Sequence, residues 1–154
     1  MIKMLSGRKE NMNNIEAFNI AVAEIFGSCY SEFPLRVSIS KMDVGIAIKE
    51  AFGDDPDGIF NLDEKEYKIA EEAMYWLIEA GYLWCKNSSR PISFEGVTLS
   101  PKGLEVLNAI PDELKTKTTL GETLSKGIKS LGKDAASTAV KVGLAYGIKL
   151  AVGT

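Results

Sequence analysis

Three features of the 154-residue sequence predict an α+β chain, mostly helical. Apolar residues recur at three- and four-residue steps through 64–80, and again at four-residue steps through 135–152. Between them, 83–99 alternates apolar and polar residues around a turn, as a hairpin does. The predicted organisation is a flexible leader over 1–12, a body over 13–114 and a helical tail over 115–154. The body reads as helix, short strand, two helices, β-hairpin and helix.

In chain order, Asn14 is the expected cap of a first helix with Ile15, Phe18, Val22, Ile25 and Phe26 on one face. Leu35, Val37 and Ile39 alternate with Arg36, Ser38 and Ser40, a strand able to pair with the later hairpin. Met42 to Phe52 follows as a second helix. The third helix has Ala70, Ala73, Met74, Trp76 and Leu77 on its apolar side, with Gly81 at its left-handed exit. Leu83 and Cys85 open the hairpin, 87–91 supplies the turn, and Ile92 and Phe94 resume the alternation. Val97 and Leu99 carry it on one residue out of phase, which a bulge at Gly96 absorbs. Ser100-Pro101 is a hydroxyl cap followed by a first-turn proline, and Leu104, Leu107 and Ile110 are the expected buried side of that helix.

EAMYWLIEAGYLWCK followed by FEGVTLSPKGLEVL resembles the recognition helix, wing and following helix of winged-helix proteins, a branch of the helix-turn-helix group with many small bacterial members. The resemblance implies a domain that binds DNA, RNA or another protein.

The tail begins with Thr119 and Glu122 at capping-box spacing. Leu120, Leu124, Ile128 and Leu131 make a stripe, Gly132 is a break or bend, and Asp134 is a new cap. Ala135, Ala139, Gly143, Gly147 and Ala151 then fall at four-residue steps beside Ala136, Val140, Leu144, Ile148 and Val152. Small residues beside branched ones suit close helix–helix approach. Lys141 and Lys149 each cost on the order of 2.5–3.5 kcal/mol inside a bilayer, so a full span is not expected.

Composition narrows the chemistry. The chain has no histidine, which removes Ser-His-Asp and Cys-His catalysis and most zinc sites. Cys29 and Cys85 share no motif spacing and read as core thiols in a reducing, cytoplasmic setting. No phosphate-binding glycine loop and no nucleophile with a base stand out, so neither an enzyme nor a cofactor is expected. Residues 53–64 place Asp55, Asp57, Gly58, Asn61 and Glu64 at calcium-loop positions. Gly53 replaces the first ligand and Pro56 interrupts the loop, so an acidic surface turn is the stronger reading. The overall charge of −3 hides a split. The body nets −10, the tail +5 and the leader +2.

The functional expectation is a non-enzymatic interaction or assembly module. It would self-associate or bind a protein partner through Ala135, Ala139, Val140, Gly143, Leu144, Gly147, Ile148 and Ala151. One alternative is a DNA-binding transcriptional regulator touching phosphate through Lys86, Arg90 and Lys102. The third helix disfavours it, since Glu64, Glu66, Glu71, Glu72 and Glu79 outnumber Lys65 and Lys68. A further alternative is peripheral membrane contact through the tail helix. Trp76, Tyr82 and Trp84 read as core aromatics.

Overall fold

A computed structural model describes residues 13–53, 64–86, 92–112 and 117–153. Among them are seven helices and a three-stranded antiparallel sheet, so the chain is α+β and mostly helical. The leader and the acidic turn before the third helix lie outside the described residues.

Helix α1 (Asn14–Glu32) is the axis of the molecule. Its cap is Asn13 rather than Asn14: the Asn13 side chain accepts from the amides of Ile15 and Glu16 at 2.8 and 3.2 Å. Ala17, Ile20, Ala21, Val22, Ile25 and Phe26 are buried and point in every direction around the helix. An all-round apolar helix belongs inside a core, not on its surface. Helices α2 (Lys41–Phe52) and α3 (Glu64–Glu79) pack on it, as do two tail helices, α5 (Leu120–Ser125) and α7 (Lys133–Gly153). Ile15, expected on the buried face, is 66% exposed because it sits in the first turn, ahead of that packing.

Strand β1 (Val37–Ser40) pairs with β3 (Ser93–Leu99), which pairs on its other side with β2 (Leu83–Trp84). Val37 faces Val97 and Ile39 faces Phe94, so two residues of β3, Glu95 and Gly96, stand opposite Ser38 alone. The extra residue lies beside Gly96, whose φ of +66° suits glycine. This bulge lets Phe94, Val97 and Leu99 all reach the core. Leu35 precedes the strand and is exposed.

Helix α3 ends in a Schellman motif: the Tyr82 amide donates to Leu77 O at 2.9 Å and the Gly81 amide to Ile78 O at 3.1 Å. The fourth helix, α4 (Pro101–Leu107), is capped by Ser100, which accepts from the Gly103 amide at 3.1 Å. Gly103, Val106 and Leu107 are its buried residues, whereas Leu104 is half-buried and Ile110 lies beyond the helix end and is exposed. Thr119 and Glu122 form the complete capping box of α5. Gly127 and Gly132, with φ of +90° and +89°, set off a short α6 (Ile128–Leu131) before α7 begins at Lys133. Asp134 therefore sits in the first turn of α7 rather than capping it. Leu120, Leu124, Ala136, Ala139 and Val140 belong to the same hydrophobic core as α1–α4. The tail packs in cis.

Candidate interaction site

The tail seam shows first what is not on offer. Of the eight residues expected to form a partner or self-association face, Ala139, Val140, Gly143 and Gly147 are buried within the chain itself. Leu144 is half-buried; Ala135, Ile148 and Ala151 face solvent. The central residues of the expected face thus pack within the same chain, and Ala135, Ile148 and Ala151 are the part of it left to solvent. A Cβ on Gly143 would meet Leu120 and Val106 at 3.4 Å, and one on Gly147 would run into the Tyr82 hydroxyl. Ser137 also turns inward, accepting a hydrogen bond from Asn19 Nδ2 at 3.1 Å between two buried side chains. Such a pair fixes the register of α7 on α1, because sliding either helix strands a buried polar group.

Charge assists the seam at its outer end. Lys129 lies 3.9 Å from Glu50, and Lys133 sits 4.5 Å over the Phe52 ring. Glu24, Asp43 and Glu50 line a cleft with both lysines. Burial pushes the Glu24 carboxyl above its ordinary value, with Asp43 and Glu50 adding to the effect. Among the described residues no three histidine, cysteine or acidic side chains converge as a metal ion would require. Burial also pushes the Cys29 thiol up to about 12, an inert core position.

A groove of about 720 Å³ opens between α1 and α3, away from the seam. Its centre is Trp76, 43% exposed. Phe18 meets it edge-on with ring centroids 5.2 Å apart, and Tyr82 stacks behind it at 6.1 Å. The C-terminal lock of α3 thus backs the tryptophan from below. Ile69 adds an apolar wall, and Glu64, Lys65, Lys68, Glu72 and Glu79 form the rim. Trp76 and the 52%-exposed Trp84 are surface aromatics, not the core residues expected; Tyr82 alone of the three is buried. The signal was in the periodicity: Ala70, Ala73, Met74 and Leu77 define the buried direction of α3, and Trp76 lies about 110° from it.

The expected phosphate contacts do not form a patch. Lys102 is half-buried, donates to Ala80 O at 3.0 Å and covers the Tyr82 ring at 4.4 Å, so its charge serves the end of α3. Lys86 is exposed, with its stem across Gly96. Arg90 lies outside the described residues. The acidity of α3 also divides. Glu66 is buried and Glu71 pairs with Lys41 at 3.1 Å. The solvent face keeps Glu64, Glu72 and Glu79 against Lys65 and Lys68, close to neutral rather than strongly acidic.

No helix among the described residues is long and apolar enough to cross a membrane. Comparison with family models, with curated proteins and with solved structures returns no match.

Proposed function

We propose that this chain is a non-enzymatic protein-interaction module on a winged-helix scaffold, and that it receives a peptide segment in the α1–α3 groove. The observation that carries the reading is Trp76: a tryptophan nearly half exposed, held by Phe18 and Tyr82 on one rigid helix. Exposed aromatics in a preformed groove are the usual anchors of protein recognition. The helix-in-groove mode fits, with an apolar ridge of the partner on Trp76, Phe18 and Ile69. Glu72 and Glu79 favour a partner with basic flanks.

The order helix, strand, helix, helix, strand, strand, helix and the sheet order β1-β3-β2 support the winged-helix reading. A near-neutral outer face on α3 supports protein over DNA, whose phosphates demand a basic surface. The C-terminal helix becomes a brace that holds α1 from behind.

The test is a selection of helical peptides from a displayed library on the full chain, with Trp76→Ala as counter-target. Enriched peptides should pair a large apolar residue with lysine or arginine and lose binding to Trp76→Ala. Equal binding to both proteins, or salt-sensitive retardation of a DNA duplex by the parent chain, contradicts the reading.

A further inference from the structure

The rim of the α1–α3 groove carries both signs of charge, and they are sorted along the helix. Lys65 and Lys68 lie in the first half of α3, Glu72 and Glu79 in the second, and all four are exposed. Glu64 departs from this order, but it has Lys68 at 3.6 Å. Both side chains of that pair are mostly exposed, so it constrains neither. Lys65, Glu72 and Glu79 are in no ion pair among the described residues. Lys65, Ile69, Glu72, Trp76 and Glu79 fall at three- and four-residue steps, one stripe with its two apolar members inside the charged ends. Phe18 flanks Trp76 from α1, and Ile15, one turn before Phe18, is 66% exposed.

A surface sorted in this way is complementary to its own reverse. A segment of one sign would meet like charge over half of α3, wherever it lay. A second α3 running parallel would set lysine on lysine and glutamate on glutamate. Running antiparallel, about a two-fold axis near the middle of the helix, it sets Lys65 and Lys68 of each copy against Glu72 and Glu79 of the other. The same operation brings Ile69 of each copy toward Trp76 of the other, because the two residues lie on either side of that midpoint. An apolar, aromatic centre inside a charged rim is the usual anatomy of an interface, and one patch pairing with itself about a two-fold axis is the commonest symmetry of soluble oligomers.

We propose that two copies of this chain associate through α3, antiparallel across the open face of the groove, with Ile69 and Trp76 of both copies at the centre and the lysines of each on the glutamates of the other. The inference rests on the reading of the groove as a protein-docking site and names a second copy as its occupant. One helix face per copy is a contact at the low end of interface sizes, so the association is reversible and shows only at high protein concentration. It lies away from the tail seam and leaves that seam internal.

Sedimentation equilibrium of the full chain, run from micromolar to millimolar concentration, tests this with two charge-reversed variants. One carries Lys65→Glu and Lys68→Glu, the other Glu72→Lys and Glu79→Lys; all four positions are exposed, so the core is untouched. The parent should pass from monomer to dimer mass. Each variant alone should associate about tenfold or more weakly than the parent, since its cross-contacts are now like on like. An equimolar mixture of the two should associate at least as tightly as the parent, and less so as salt is raised, which misfolded variants would not do. A parent that stays monomeric, a dimer that neither reversal weakens, or a mixture that does not recover association overturns the proposal. The helical peptides selected on the groove separate the two claims. If they bind through Trp76 to a parent that stays monomeric, the groove reading stands and the self-pairing fails; if the parent stays monomeric and no peptide binds, both fail.

Discussion

Helix α1 is flanked on two sides, and the chain closes them by opposite means. Toward the tail the packing is close: Ser137 of α7 meets Asn19, while Gly143 and Gly147 let that helix settle against Leu120, Val106 and Tyr82. Gly27 does the same from α1, where a Cβ would fall 2.6 Å from the Leu124 carbonyl oxygen. Toward α3 the outer contact is Phe18 against Trp76, large rings that hold the surface apart and leave about 720 Å³ open. Small residues make a seam that excludes everything; large aromatics make a groove that admits something. The contrast teaches which half of a helical surface to search for a partner, and it is not the half with the small-residue rows.

The seam breaks hardest where nothing can move. Gly27→Ala should cost about 3 kcal/mol in urea unfolding, since the obstructing atom is backbone. Gly147→Leu should approach the same loss against Tyr82. In both variants the solution mass should stay that of the parent, because the damage is internal. Leu77→Ala, on the buried side of α3, should cost 2–5 kcal/mol by the usual range for a core leucine. Trp76→Ala, one residue away but nearly half exposed, should cost roughly 1–2 kcal/mol and remove peptide binding. A Trp76 variant as damaging as Leu77→Ala would move that residue from the groove into the core. Ser137→Ala strands the buried Asn19 amide and should cost on the order of 1–2 kcal/mol. Adding Asn19→Leu should recover part of it, and a thermal unfolding cycle of the four proteins measures the coupling.

Much of the fold was legible because its signals are local. The Ser100 cap, the Thr119–Glu122 box, Gly81 after α3 and the bulge at Gly96 each follow from chemistry within a few residues. What escaped was long-range. Helix α1 read as one-faced because its second apolar face is explained only by a tail more than a hundred residues on. The tail rows are only partly buried, for a geometric reason: four residues turn an α-helix by about 400°, so an i+4 row drifts about 40° per step. Across the five members from Ala135 to Ala151 that drift carries the ends away from the middle. Ala139, Gly143 and Gly147 are buried while Ala135 and Ala151 are exposed. In the neighbouring row, Ala136 and Val140 are buried, Leu144 half-buried and Ile148 exposed. Burial follows the periodicity of the helix, not the row.

The smallest expected effect lies at the charged end of the seam. In the folded chain the Glu24 carboxyl is held above its ordinary 4.5, mainly by burial, so its charged form is disfavoured there. Its contribution to stability is present below that ordinary value and is lost as pH rises through the elevated folded value. Glu24→Gln should therefore raise the melting temperature at pH 7, and the gain should vanish once the pH falls below 4.5. A gain that persists unchanged in acid would point to packing instead of charge.

The central claim is that the tail closes the molecule in cis and leaves recognition to the opposite side. Amide hydrogen exchange of the full chain at two protein concentrations tests it most directly. If the seam is internal, amides across 136–150 are protected as strongly as those of α1, and dilution changes neither. Tail amides that exchange quickly in dilute solution and gain protection only on concentration would make α7 an assembly helix and contradict the account.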